Sequence, residues 1–349
     1  MQPDIKKRLE TWAEFMDPKS DINFLYIVTP EDDTPRPLPY PENIDTRVEW
    51  AVNAYERQME RAEWLDDYFI PAVSPYTGTE IFAQAFGSPV HYPGDNNPFA
   101  LPAVYDASDL SKIKKPDVFS SDLGRLFEIA ERIRNQTGPG AIVQLPDIQS
   151  PLDIAALIWE KSRFLMAMLD EPEAALELIF MVETLLTEFL DEWFKRFGTE
   201  YIAHHPHYPM RGGFTFSEDE VGAFSPEMFE KFSLPSINRL SRRYGGCGMH
   251  CCADARHQWE GFRKIEGLRL INLTYTGKAL KESAEFFKNA LCHFPHYALD
   301  EEIQPRPIPG WAEAFKDTHF ILHVTARDEN EARSFAERLK EYSLSSGII

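Results

Sequence analysis

From Phe69 to Val324 short apolar runs keep alternating with longer amphipathic segments, and this rhythm leaves few folds open. The runs Phe69-Ile70-Pro71-Ala72-Val73, Gly140-Ala141-Ile142-Val143-Gln144-Leu145, Leu268-Arg269-Leu270-Ile271-Asn272-Leu273 and Phe320-Ile321-Leu322-His323-Val324 have the length of strands. Between them lie helix signals. Asp45-Thr46 caps a segment in which Val48, Ala51, Tyr55, Met59, Ala62 and Leu65 fall at helical spacing. A second helix is expected over 121–135. Ser150-Pro151 opens another, with Asp153 placed to complete a capping box and Pro at the first helical position. Pro172-Glu173 and Ser225-Pro226 open two more, closed by Gly198 and Gly245. Further helices are expected from Leu280 to about Ala290 and from Asn330 onward. Strands that alternate with helices pair in parallel under a helical layer. A doubly wound sheet would carry a glycine-rich phosphate loop early in the chain, and no such loop is present. The expected fold class is therefore α/β, a (β/α)8 TIM barrel whose chemistry sits at the C-terminal ends of its strands. Residues 1–65 are expected to form an N-terminal helical extension with a proline-rich loop over 29–43, a surface excursion or a lid. Residues 66–349 are expected to form the barrel.

Charge narrows the partners. The 349 residues include 56 acidic and 36 basic side chains, for a net charge of -20. That field repels phosphate backbones and anionic lipid surfaces, so nucleic acid and membrane are both disfavoured. The first residues lack an apolar signal core, no apolar run spans a bilayer, and a cytoplasmic location is expected. Three of the four cysteines fall within residues 247–252, a spacing that points to metal or redox chemistry rather than a disulfide framework.

Those cysteines define the main candidate site. Gly248-Met249-His250-Cys251-Cys252 reads as the end of a strand. Side chains alternate across a strand, so His250 and Cys252 share one face, and Cys247 and Cys251 share the other. One imidazole and one thiolate at a strand end supply two of the three protein ligands of a catalytic zinc site. The alternative is a packed thiol beside a satisfied histidine. Elsewhere, His204-His205-Pro206-His207 is either a metal clip or the rim of a substrate pocket, and His207 is taken as a substrate contact. Arg211, beside Gly212-Gly213, could meet an anionic group. Asp219 is expected to act as a catalytic proton acceptor, or to be a helix N-terminal acid. Asp147, after the second strand, is a candidate substrate ligand. Cys292 and His296 flank a run that is either a site or a strand leading into a loop. Alternation does not settle which face of its strand His323 occupies.

Phe216-Ser217-Glu218-Asp219, the segment from Phe224 to Pro235, Gly248-Met249-His250-Cys251-Cys252 and the segment from Ile265 to Leu273 together resemble the uroporphyrinogen decarboxylase-like superfamily. The chain lacks the arginine-rich stretch by which uroporphyrinogen decarboxylase proper grips its substrate's carboxylates. It is more similar to the cobamide-dependent methyltransferase branch, which uses a His-x-Cys pair and a later cysteine as zinc ligands. That resemblance implies a zinc-dependent methyltransferase. It would move a methyl group between a corrinoid protein and a thiol or other small acceptor or donor, with the cobamide arriving on a separate partner. Zn2+ would be held by His250, Cys252 and a third ligand. No cysteine follows Cys292, so His323 is taken as that third ligand, with Cys292 and His296 as alternatives and a carboxylate such as Asp219 behind them. Decarboxylation of a tetrapyrrole-like or other carboxylate substrate is the alternative activity, and a non-catalytic ligand-binding barrel is the alternative class.

Overall fold

The structure is a computed structural model and describes residues 5–119, 121–273, 277–287, 292–293 and 318–345. The strands are β1 (Phe24–Pro30), β2 (Ala72–Val73), β3 (Val90–His91), β4 (Phe99–Ala100), β5 (Ile142–Val143) and β6 (Glu200–Ile202). They continue with β7 (Pro209–Arg211), β8 (Phe214–Ser217), β9 (Cys247–Cys251), β10 (Leu268–Leu273), β11 (Cys292–His293) and β12 (His319–Ala326). Six form one parallel sheet in the order β1-β12-β11-β10-β9-β8. β2 and β5 form a second, parallel pair, and β3–β4 and β6–β7 are antiparallel hairpins.

The parallel α/β architecture expected from the alternation is present. The ladders among the described residues do not run round a full ring. Backbone hydrogen bonds outside the ladders join the two parallel pieces at both edges. Tyr68 N–H donates to the Tyr26 carbonyl at 3.1 Å on one side, and Gln149 bridges to Ser217 on the other. β2 and β5 are each two residues long, too short to extend a ladder. β1 lies inside the segment expected to stand outside the sheet. It pairs with β12 along its whole length, Phe24 with Phe320 through Pro30 with Ala326. Its five leading residues are all buried.

Helices cover the sheet for local reasons. Ser121 and Ser150 cap the helices Asp122–Thr137 and Pro151–Ile158 by accepting the N–H of Leu123 and Asp153. Gly245 ends Leu234–Tyr244 at φ 79°, a left-handed conformation that costs glycine little. Phe24, Tyr26, Val28, Phe320 and Val324 pack on Ala332, Phe335, Ala336 and Leu339 of the C-terminal helix Glu329–Ser345. Leu25, Ile27 and Ile321, on the opposite face, join the main core. His323 alternates with Leu322 and Val324 and so lies on the main-core face. The N-terminal helix Ile5–Phe15 is anchored by Arg8, which donates to the carbonyls of Ala62, Leu65 and Phe69 and reaches the buried Asp67 at 3.4 Å. Among the described residues no helix is long and apolar enough to cross a membrane.

Candidate metal and substrate site at the strand ends

Three neighbouring strands build the floor. The β8–β9–β10 register puts Ser217, His250 and Asn272 side by side. One layer below, Thr215, Gly248 and Leu270 pair in the same way. A Cβ on Gly248 would come within 2.9–3.0 Å of the Leu270 and Thr215 side chains, so this strand accepts only glycine there without movement. Asn272 is fully buried in an apolar strand, where an unbonded amide would be costly. Its Oδ1 meets His250 Nδ1 at 2.5 Å. An amide oxygen only accepts, so Nδ1 carries the proton and Nε2 is the ring's lone-pair nitrogen.

Cys252 follows the end of β9 and is exposed, whereas His250 is 6% exposed. Ligand atoms of His250, Cys252 and Asp219 all lie within 4.8 Å of one another. Asp219 Oδ1 accepts the Cys252 N–H at 2.6 Å, which ties the carboxylate to the residue bearing the thiol. Burial, and then the hydrogen bond and charge of Asp219, push the Cys252 thiol up to about 12. Without a cation that thiol keeps its proton.

Asp219 is held from behind by Asp153. The Asp153 carboxylate accepts the N–H of Asp219 at 2.6 Å and of Glu220 at 3.2 Å. The expected capping box is thus half formed. Ser150 Oγ accepts the Asp153 N–H at 3.0 Å, but the carboxylate reaches across to the Asp219 loop, while the Ser150 N–H donates to the Ser217 carbonyl. Glu218, also fully buried, accepts from Ser233 Oγ at 2.9 Å. Burial raises both the Asp153 and Glu218 carboxyls well above the usual carboxylate range, and Asp219 beside them adds to it.

A second group adjoins the first. Asp147, His204 and His205 offer ligand atoms within 4.8 Å of one another. The His205 ring stacks on His250 with centroids 4.8 Å apart and planes 28° from parallel. Ser217 Oγ donates to Asp147 Oδ1 at 3.3 Å. Burial pushes the Asp147 carboxyl up to about 6, an effect opposed by His250 and reinforced by Asp219. His207 is exposed on the same loop, and its Nδ1 meets Gln144 Nε2 at 2.8 Å.

The remaining sequence candidates lie elsewhere. In the first group the residue brought beside His250 and Cys252 is Asp219 and not His323. β12 is three strands from β9, on the order of 14 Å along the sheet at normal strand spacing. His323 Nε2 instead meets Thr29 Oγ1 at 2.7 Å. Cys292 is described in its backbone only, within β11, and His296 lies outside the described residues. Arg211 pairs with Glu200 at 3.1 Å, and its carbonyl accepts from Arg269 near the start of β10. Asn272 is three residues further along that strand, so Arg211 sits toward the opposite end from His250, about 10 Å away along the strand. Asn272, Asp153 and Ser217 were not anticipated as site residues. An asparagine inside an otherwise apolar strand was a readable signal. The reach of Asp153 was not readable, because its partners lie 66 and 67 positions away.

The family model described as "Uroporphyrinogen decarboxylase (URO-D)" matches residues 66–291. No curated protein matches the chain by sequence. Among solved structures, a methyltransferase from Methanosarcina mazei is similar at a TM-score of 0.64 and 13% identity, over 97% of this chain and 99% of that one. At that identity the likeness is one of fold.

Proposed function

Because the chain belongs to the uroporphyrinogen decarboxylase (URO-D) family, we propose that it is an enzyme of that family's methyltransferase type, moving a methyl group between a corrinoid protein and a thiol or other small partner. The observation that carries this reading is the convergence of His250, Cys252 and Asp219 at the end of β9. An imidazole, a thiol and a carboxylate are ligands zinc accepts, and three protein ligands leave one position open. The donor set therefore fits Zn2+, with Asp219 in the place expected of His323. The similar fold of a methyltransferase supports the same activity. The backbone contacts at both edges of the six-stranded sheet support reading its frame as a (β/α)8 barrel.

When bound, zinc supplies the positive charge that favours an incoming thiol as its thiolate, the stronger nucleophile. The chain's own residues prepare the place. Asn272 holds the His250 proton on Nδ1 and directs Nε2 outward. The Cys252 N–H and the Asp153 carboxylate hold the Asp219 loop from two sides, so its carboxylate is aimed before anything binds. The Asp219 carboxylate lies within 4.8 Å of the Cys252 thiol and is the nearby group placed to receive its proton when that thiol ionises. His204, His205 and Asp147 form the wall facing a small substrate. The cobamide is assigned to a separate corrinoid protein.

The test is methyl transfer from methylcobalamin to a panel of thiols, followed by the change in the corrin spectrum, in zinc-loaded wild-type protein and in His250→Ala and Cys252→Ser. Turnover in the wild type and its loss in both variants is the expected result. No turnover with any thiol, together with release of carbon dioxide from a tetrapyrrole carboxylate, would move the protein to the decarboxylase activity of its family.

A further inference from the structure

We propose that Asp147, His204 and His205 form a second cation site, built for a divalent transition-metal ion, beside the His250–Cys252 group. The inference stands on geometry independent of the first site. The three ligand atoms lie within 4.8 Å of one another. His204 Nε2 and Asp147 Oδ2 are 3.6 Å apart. That is too long for an N–H···O hydrogen bond, which spans about 2.7–3.2 Å. It is close to the roughly 3.4 Å that separates two donors each about 2.1 Å from one tetrahedral ion.

The supporting contacts are those of a held ligand set. Ser217 Oγ takes Asp147 Oδ1, which leaves Oδ2 turned toward His204. The loop carrying the two histidines is closed at its base, where the Ala203 N–H donates to the Tyr208 carbonyl at 2.9 Å. The Ala203 carbonyl accepts from Gln144 Nε2 at 3.1 Å, and the same nitrogen contacts His207. Gln144 lies three residues before Asp147, so one strand end fixes both halves of the site. Such outer contacts orient ligands and are a usual part of metal sites.

The chemistry of the donors differs from that of the first group. Two imidazoles and a carboxylate suit zinc, iron, cobalt or manganese in the divalent state, without the thiolate that marks the neighbouring site. The stacked His205 and His250 rings place the two groups side by side. The second ion has open positions for an oxygen or nitrogen atom of a small substrate, and so holds that substrate next to the thiol-bearing group.

Cobalt(II) distinguishes the two sites. Full-length protein is loaded with Co2+, freed of excess, and its metal counted by mass spectrometry beside its visible spectrum. The comparison is wild type against the double variant Asp147→Asn, His204→Gln and, separately, Cys252→Ser. The double variant should hold about one cobalt fewer per chain while keeping any near-ultraviolet thiolate-to-cobalt absorption. Cys252→Ser should lose that absorption and keep the nitrogen–oxygen site's weak visible bands. If Cys252→Ser changes nothing but the double variant loses an ion, the second site stands and the zinc-thiolate reading falls. A double variant, eluting as folded protein, whose cobalt content equals wild type would overturn the proposal. Loss of the thiolate absorption along with the ion would also overturn it, since the six residues would then serve one shared ion. His205→Gln provides a second variant in case the double substitution fails to fold, with the same outcomes.

Discussion

Asn272 stands beside His250 in the β9–β10 register, and its amide oxygen takes the ring's Nδ1 proton at 2.5 Å. One buried amide thus sets the tautomer of the imidazole at the centre of the site. Partners of this kind typically affect metal affinity by about 10–100-fold. Asn272→Ala should weaken zinc binding by about that range in a chelator competition, and Asn272→Asp, which still accepts the proton, should restore most of it. An affinity unchanged in Asn272→Ala would separate the amide from the ligand.

Gly248 lies one layer below, between Thr215 and Leu270. Gly248→Ala inserts a methyl group where both neighbours already stand within about 3.0 Å. Overpacking of this kind costs about 1–3 kcal/mol. Urea denaturation should show that loss, and equal midpoints would mean the sheet relaxes around the methyl.

Asp67 ties the N-terminal helix to the sheet. It is 3% exposed, lies 2.5 Å from Arg61 and 3.4 Å from Arg8, and accepts the N–H of Val28 in β1 at 2.9 Å. Asp67→Ala removes the carboxylate that Arg61 and Arg8 face and the acceptor of the Val28 N–H. Removing one partner of a buried pair costs about 3–5 kcal/mol. Thermal unfolding should fall accordingly, with little change in metal content.

Glu80 gives stability a pH dependence remote from the site. It is 4% exposed, and burial pushes its carboxyl up to about 7 against a partial offset from Arg47. Below about pH 4.5 folded and unfolded chains both hold the proton. Between about 4.5 and about 7 the unfolded chain ionises first, so stability falls as pH rises and levels off above the folded value. The full contribution is about 3 kcal/mol for that displacement. Glu80→Gln removes it. Denaturation across this range should show a wild type that loses stability relative to the variant as pH rises, and parallel curves would remove Glu80 as the cause.

Much of the fold was legible because its signals are local. Ser121, Ser150 and Gly245 mark helix ends through bonds to residues within four positions, and those ends fell where the sequence placed them. Strand β8 and the β6–β7 hairpin escaped notice, since runs of three or four residues are too short to stand out from the loops around them. The membership of β1 in the sheet escaped for a different reason. Its partner β12 lies almost three hundred residues away, and nothing in Phe24–Pro30 names it.

By itself the sequence determined the parallel α/β class and the shared face of His250 and Cys252, because both follow from the period of two along a strand and the rhythm of strands and helices. Only the tertiary structure decided what stands beside them. Sheet order carried His323 three strands away to Thr29, and a loop held by Asp153 brought Asp219 against Cys252. The same packing set His205 on His250 and turned Asp147 toward His204. Period is a property of neighbours along the chain. A ligand set is a property of chain ends and loops that meet across it, and their meeting is settled by the register and order of the sheet.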